Sequence, residues 1–411
     1  MAPKPIPHNT KSSFSFPRHM KLCLPSFGAT LILFTLWIYN KEPNFSSSSL
    51  SKPSTKDPVK ETLYDDPNIH FYNWDMKRGL WLKNNPNLAS NNSVMVVSGS
   101  QTSPCKSPSG DHFLLRFFKN KVDYCRIHGY KIFYNNAYLE PNMRYFWAKI
   151  PVLKAAMLAH PETEWLFWVD SDAVFTDMEF TIPLERYEGH NMVVHGFPNM
   201  IYEDKSWVGL NAGVFLIRNC QWTVEFLDVW ANMGPMSPDY NKWGKILSET
   251  LKDRLFLGAD DQSALVYLLL KGDKKWTDKI YVENQYYLHG YWLPLVKKFD
   301  NIAKKYIEIE KRVKMLRRRH AEAEMRRHVG EGPDDWRRPF VTHFTGCQPC
   351  SGDHNPNYKG DSCWIEIERA LNFADNQVLR NYGFVHPSLK NGSLVRPLPF
   401  DYPSDVLDYF T

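Results

Sequence analysis

Asp170 and Asp172 stand one residue apart at the end of an unbroken apolar run, Trp165-Leu166-Phe167-Trp168-Val169. The run is too short for a helix and rich in aromatics, which predicts a strand buried on both faces. Ligands of an open α/β sheet gather where its strands finish, so both carboxylates are expected at the mouth of a crevice. Paired acids in that position can hold a hard divalent cation against phosphate oxygens. Asp-x-Asp alone is more often a solvated turn, and its weight depends on what else the chain brings to the same place.

Two other groups of residues could complete such a site. In Phe340-Val341-Thr342-His343-Phe344-Thr345-Gly346-Cys347 a lone histidine ends a strand-like stretch near glycine. A satisfied core histidine is the commoner use of that pattern. Yet a cation held by two carboxylates and two phosphates keeps open positions, and imidazole suits manganese better than magnesium or calcium. His343 is therefore the expected third protein ligand. The second group, Asp260-Asp261-Gln262, precedes the apolar stretch Ala264 to Leu270. Acids there cap a helix and are favoured by its dipole, or they face the crevice; the residues leave both uses open.

The elements that must position these groups are legible upstream. Val94 to Val97 is predicted as a first strand, and the small residues Ser98-Gly99-Ser100 after it let a ligand approach the backbone. No Gly-x-Gly-x-x-Gly follows, so this is not a dinucleotide fingerprint. Helical periodicity runs from Phe113 to His128, Tyr130 to Tyr134 reads as a second strand, and Ile150, Leu153, Met157 and Leu158 mark a second helix before Pro161. The acidic strand comes third. Strand, helix, strand, helix, strand predicts a doubly wound α/β half with right-handed crossovers. Asn191 to Gly196 and Ala212 to Arg218 are further strands, the latter after Trp207-Val208-Gly209-Leu210-Asn211, whose glycine leaves room beside Asn211; Trp222 to Trp230 is a helix packed on the sheet. From Asn301 to Val329 the chain is almost all charged, with Ile302, Tyr306, Ile309, Val313 and Leu316 forming one narrow apolar seam. That pattern is an amphipathic helix lying on its own domain, or the seam of a homo- or hetero-oligomer.

With 411 residues, 43% hydrophobic and 15% aromatic, the chain can bury a sizeable core. A formal charge of +5 is too mild to imply nucleic acid. The aromatic excess suits sugar rings, whose apolar faces stack on Trp and Tyr.

Leu22 to Tyr39 carries no charge, while Lys4, Lys11, Arg18 and Lys21 precede it. The stretch is long enough for a membrane helix of roughly 17 to 25 residues, and the positive-inside bias leaves residues 1–21 in the cytoplasm and sends the rest across. A cleaved signal peptide is the rival, but no small-x-small site follows the long basic head. The Ser-, Pro- and Lys-rich segment after it, within residues 40–72, is expected to be a stem. Sequons at Asn44, Asn91 and Asn391 fall on the lumenal side of that topology. Apart from Cys23, the cysteines are Cys105, Cys125, Cys220, Cys347, Cys350 and Cys363, an even number that suits an oxidising compartment without revealing its pairing. Cys347-x-x-Cys350 with His354 and Cys363 could also be written as a zinc site, a weaker reading because only one Cys-x-x-Cys is present.

Taken in order, Val96 to Gln101, Gly110-Asp111-His112, Tyr145 to Lys149, Trp168 to Met178, Gly209 to Gly213, Ala259 to Ser263, Tyr287 to Trp292 and Thr342 to Cys350 resemble the plant members of glycosyltransferase family 34, retaining galactosyl- and xylosyltransferases related to yeast Golgi mannosyltransferases. The likeness spans roughly Asn73 to Tyr402. Ser98 to Phe133 and Thr342 to His354 look most like legume galactomannan galactosyltransferases, and Gln348 stands where xyloglucan xylosyltransferases carry lysine.

The resemblance implies a GT-A type glycosyltransferase fold with a Rossmann-like nucleotide-binding half over residues 73–411, with 301–329 as an insertion, behind a single transmembrane anchor at 22–39. It further implies a Golgi type II membrane protein, a UDP-galactose donor, a β-1,4-mannan acceptor and Mn²⁺. Carried over residue by residue, Asp170, Asp172 and His343 hold the metal. Ser98, Gly99, Lys149 and Ser171 meet the nucleotide, and Asn211, Gly213, His289, Gly290 and Gly346 meet the donor sugar and diphosphate. Asp260, Asp261 and Gln262 face the transferring sugar.

Overall fold

The computed structural model describes residues 72–88, 93–254, 256–312 and 337–398. The expected anchor at 22–39, the stem before Tyr72, Asn44, Asn91 and residues 313–329 of the charged segment lie outside them. No helix among the described residues is long and apolar enough to cross a membrane.

The central sheet has six strands in the order β2-β1-β3-β6-β5-β7. They are β1 (Val94–Gly99), β2 (Lys131–Asn135), β3 (Trp165–Val169), β5 (Met192–Gly196), β6 (Leu210–Arg218) and β7 (Ile280–Glu283). β1 runs parallel to β2 and β3, the doubly wound half the sequence predicts, whereas β6 runs antiparallel to β3 and β5. Both faces are covered. In β3 the side chains of Trp165, Phe167 and Val169 enter one core and Leu166 and Trp168 the other, so the period of two is satisfied by apolar residues on both sides. The first core includes α2 (Gly110–His128), α7 (Phe299–Arg312) and α8 (Ser362–Leu379); the second includes α1 (Trp74–Asn84), α3 (Lys149–Ala159), α4 (Gln221–Ala231), α5 (Tyr240–Thr250) and α6 (Asp261–Lys271). Each large apolar side chain so buried contributes about 1.5–3 kcal/mol.

A second sheet, which the sequence did not announce, decides the site. Its strands β4 (Ala173–Phe175), β9 (Val341–His343) and β8 (Gly290–Tyr291) lie in the order β4-β9-β8. β4 and β9 are antiparallel with Ala173 opposite His343, and β8 and β9 are parallel with Tyr291 beside His343. Two-residue strands β10 (Cys347–Gln348) and β11 (Asp353–His354) follow. In α7 the seam residues Ile302 and Tyr306 are buried, as a surface helix on its own domain requires.

Disulfides join Cys105 to Cys350 and Cys347 to Cys363. The two sulfurs of the Cys-x-x-Cys thus belong to different bridges, which removes the zinc alternative. Cys125 and Cys220 remain thiols, so the even count of cysteines does not mean full pairing.

Candidate active site

β3 ends at Val169 because the chain turns there: the Asp170 N–H donates to the Gly213 carbonyl (2.9 Å) and the Ala173 N–H to the Asp170 carbonyl (3.1 Å). The turn delivers Asp172 to the start of β4, directly beside the strand position of His343. His343 Nε2 lies 3.0 Å from Asp172 Oδ1 and 3.8 Å from Asp170 Oδ2. One ligand atom from each of Asp170, Asp172 and His343 falls within 4.8 Å of the others. Two carboxylates and one imidazole, converging across 171 residues of chain, form a donor set suited to a divalent cation of the manganese type. Burial alone would push the Asp172 carboxyl up, but His343 beside it holds it below its ordinary value. The same contact with Asp172 overcomes burial and raises the His343 imidazole. Trp168 Nε1 donates to Asp170 Oδ1 at 2.6 Å, fixing that carboxylate from the strand below.

A register break in β6 opens the floor of the site. Val194 pairs with Phe215, but the next residue, His195, pairs with Asn211, so residues 212–214 bulge from the β5 ladder. Asn211 is therefore part of the strand rather than of the loop before it. Its Oδ1 accepts from the Gly213 N–H at 2.8 Å. A Cβ on Gly213 would stand 2.4 Å from His343 Cε1 and 2.5 Å from Asp170 Oδ2. Only glycine lets this strand pass behind Asp170 and His343.

Lys149, at the start of α3, is 3% exposed and reaches the same floor. Its Nζ donates to the Ala212 carbonyl at 2.7 Å, pairs with Asp261 Oδ2 at 2.5 Å, and lies 3.8 Å from Asp170 Oδ1. Burial works against its charge, but Asp170 and Asp261 raise the ammonium above its ordinary value. The acidic triplet divides its labour. Asp260 caps α6, its Oδ1 accepting from the Ser263 N–H (2.8 Å) and from Trp207 Nε1 (3.1 Å), while Arg254 lies 3.5 Å from its Oδ2. Asp261 turns to Lys149, and burial pushes its carboxyl up to about 6 despite that cation. Gln262 Oε1 accepts from Asn211 Nδ2 (3.2 Å) and the Ala212 N–H (3.3 Å), and its Nε2 donates to the Trp207 carbonyl (3.0 Å). Asp260 realises the capping use, while Asp261 and Gln262 turn to Lys149, Asn211 and the backbone of Ala212 beside Asp170.

The remaining expected residues split into two groups. His289 stacks edge-on against His343 (ring centroids 5.0 Å), and its buried Nε2 has no hydrogen-bond partner. Burial, with His343 and His195 nearby, drives its imidazole well below the ordinary value, so it is neutral. Ser98 is fully buried near the end of β1, and its Oγ likewise has no partner. Ser171 lies within the turn between the two aspartates. Gly99, Gly290 and Gly346 have packing reasons for being glycine: a Cβ would meet the Asn135 carbonyl, Leu295 with the Val341 carbonyl, and Tyr358 respectively. Gly346 also has φ +85°.

Two polar residues at this floor escaped the sequence reading. His195, on β5, stands 5.9 Å from His289 between ring centroids. Lys121 of α2 has Nζ 2.8 Å from the Ala173 carbonyl and 3.3 Å from that of Ser171. A signal for the latter existed: Phe113, Phe117, Lys121 and Cys125 follow one another at intervals of four, which puts a lysine in the buried stripe of a helix.

Residues 90–354 match the galactosyl transferase GMA12/MNN10 family. Glycosyltransferase 6 of Arabidopsis thaliana is 52% identical over 92% of this chain and 94% of its own length. Galactomannan galactosyltransferase 1 of Cyamopsis tetragonoloba is 50% identical over 93% of this chain and 96% of its own. Probable xyloglucan 6-xylosyltransferase 3 of Arabidopsis thaliana is 48% identical over 79% of this chain and 66% of its own. A converging Asp-x-Asp and histidine beside a buried Lys149–Asp261 pair is thus found in a chain that belongs to the galactosyl transferase GMA12/MNN10 family, glycosyltransferase family 34, and is a sugar-transferring enzyme.

Proposed function

We propose that this chain is a Mn²⁺-dependent retaining galactosyltransferase that moves α-galactose from UDP-galactose to O6 of mannosyl residues in a β-1,4-mannan. The observation that carries the reading is the convergence of Asp170, Asp172 and His343 within 4.8 Å, in a chain 50% identical to a galactomannan galactosyltransferase across nearly the full length of both. In this reading the catalytic part has a GT-A fold and works in the Golgi lumen behind an anchor at 22–39.

Asp170, Asp172 and His343 would hold the cation, which when bound supplies Lewis-acid stabilisation to the departing diphosphate. The protein's own residues do the rest. His289, neutral and with Nε2 unpartnered, leaves a ring nitrogen free to accept a hydrogen bond from a hydroxyl of the donor. Lys149 and Asp261 place opposite charges beneath the crevice, so the local field is fixed before the sugar arrives and costs no reorganisation during transfer. Lys149 also occupies Asp261 Oδ2 at 2.5 Å, which blunts that carboxylate as a nucleophile and favours same-face attack. In that route the anomeric C–O bond to UDP breaks as acceptor O6 bonds to the anomeric carbon from the same side. The O6 proton passes to the leaving phosphate oxygen, and the positive charge building on the ring faces Asp261 and the Gln262 carbonyl oxygen.

The turn 145–148 supports a sugar-polymer acceptor. Tyr145 and Phe146 are 76% and 38% exposed, while Trp147 beside them is tied by its Nε1 to the Ala259 carbonyl, next to Asp260. Exposed aromatic rings beside an anchored one can stack on the apolar faces of sugars. A second reading, xylosyl transfer from UDP-xylose onto a xyloglucan backbone, draws on the 48% identical relative, but Gln348 in place of lysine speaks against it.

The test is incubation of the full chain in microsomes with labelled UDP-galactose, Mn²⁺ and manno-oligosaccharides. The reading expects a labelled product from which α-galactosidase releases the label. Incorporation from UDP-xylose onto cello-oligosaccharides alone would transfer the assignment to the second reading.

A further inference from the structure

The Asp170–Asp172 turn runs straight into β4, and β4 is bonded to a neighbouring strand, β9, on one side only. An edge strand carries N–H and C=O groups with no sheet partner, and buried backbone groups require one. Helix α2 supplies it. Asn120 Nδ2 donates to the Phe175 carbonyl at 3.0 Å while Asn120 Oδ1 accepts from the Phe175 N–H at 2.8 Å. The next residue, Lys121, donates to the carbonyls of Ala173 and Ser171. Two consecutive side chains of a helix thus take the place of a missing strand along the open edge.

Lys121 is 0% exposed, with its Nζ 5.6 Å from the centre of the Phe117 ring. An ammonium is costly to bury unless opposite charges and hydrogen bonds compensate it. Asp172 and Asp170 favour the charged form, but burial outweighs them and lowers the ammonium to about 7. A neutral donor would satisfy two carbonyls at lower cost, so edge satisfaction alone does not account for a lysine here. The two carbonyls lie on either side of Asp172, one in the peptide before it and one in the peptide after Ala173, so holding both fixes the direction in which the Asp172 side chain leaves the turn.

We infer that Lys121, with Asn120 beside it, is a positioning residue that presets the two aspartates for the divalent cation. The inference rests on reading Asp170, Asp172 and His343 as the metal site. Supports of metal ligands typically matter by roughly 10–100-fold in metal affinity, and the test reads binding rather than turnover. Mn²⁺ is titrated into the purified full chain, without nucleotide, and free Mn²⁺ is followed by its electron paramagnetic resonance signal. Circular dichroism confirms that each variant is folded at the working temperature.

Lys121→Met is expected to weaken Mn²⁺ binding by about 10–100-fold, and Lys121→Gln, which keeps a donor, is expected to recover part of the loss. Unchanged affinity in folded Lys121→Met would reduce the lysine to a structural filler and overturn the inference. Tighter binding would overturn it too, because the ammonium would then act chiefly by repelling the cation. Should Lys121→Met not fold, Asn120→Ser carries the test: it trims the bonds to Phe175, leaves the lysine in place, and is expected to weaken Mn²⁺ several-fold, with unchanged affinity counting against the inference. If the unsubstituted chain binds no Mn²⁺, the metal site itself fails and the inference with it.

Discussion

The Lys149 ammonium sits 2.5 Å from the Asp261 carboxylate, and both side chains are less than 10% exposed. The pair links the start of α3 to the start of α6, with Lys149 Nζ also 3.8 Å from Asp170 Oδ1. Breaking a buried pair by removing one partner costs about 3–5 kcal/mol, because the other charge is left uncompensated. Lys149→Met and Asp261→Leu are each expected to lower the thermal unfolding midpoint. The double variant is expected to be more stable than at least one of the single variants, since it leaves no orphaned charge. Additive losses in the double-variant cycle would show that the two groups are not coupled.

Asp261 also sets a pH dependence. Burial raises its carboxyl from 3.8 to about 6, so the folded, metal-free chain holds that proton more tightly than the unfolded chain does. The sign follows: its contribution to stability is fully present below the unfolded value and is lost as pH rises through about 6. Activity moves the other way, because the counter-charge to the growing positive sugar exists only once Asp261 ionises. The profile of kcat/KM at saturating metal is expected to fall on the acid side below about pH 6, because a bound cation lowers the carboxyl, while metal-free unfolding midpoints rise as pH is lowered through about 6. An activity profile flat down to pH 5 would remove Asp261 from the charge-bearing role.

How much of this was readable in advance follows from the range of the forces involved. The first three strands and their helices are local patterns, and Trp165 to Val169 could scarcely be anything but a strand buried on both faces. Asp170 and Asp172 were found because they end that strand. His343 was a matter of chemistry and resemblance, since only the pairing of Ala173 with His343 brings it alongside, and a three-residue strand whose partner lies 170 positions away has no local signature. The sequence starts the strand at Ala212 rather than Leu210, because the bulge at 212–214 exists only against β5. Lys121 looked like one more charge on a helix until the apolar line through Phe117 was followed. The glycines divide likewise: Gly213 guards the ligands, whereas Gly99 and Gly290 make room for strands.

That division is testable by substitution. Gly213→Ala would drive its methyl group into His343 and Asp170, and is expected to abolish Mn²⁺ binding and reduce transfer by at least about 100-fold. Gly99→Ala meets the Asn135 carbonyl at 2.4 Å instead, and is expected to lower the unfolding midpoint while leaving the metal affinity of the folded protein unchanged. Paired metal titration and thermal unfolding of the two variants distinguishes them; equal metal affinities would contradict the assignment of Gly213.

The Cys105–Cys350 bridge spans 245 positions and ties the loop after β1 to the segment after His343. Loss of a native disulfide typically costs about 2–5 kcal/mol. Cys105→Ser with Cys350→Ser is expected to lower stability by that order and, because the proposed nucleotide residues Ser98 and Gly99 immediately precede the tethered loop, to raise the KM for the donor. Chemical denaturation gives the first number and donor saturation kinetics the second. An unchanged donor KM would confine the bridge to stability.

The claim on which the rest depends is that Asp170, Asp172 and His343 bind one Mn²⁺ together with the donor diphosphate. Crystals grown with UDP and Mn²⁺, measured at the manganese absorption edge, address it most directly. The account predicts a single anomalous peak bonded to all three side chains and to phosphate oxygens. UDP bound with no peak between those residues, or with the metal held elsewhere, would contradict it.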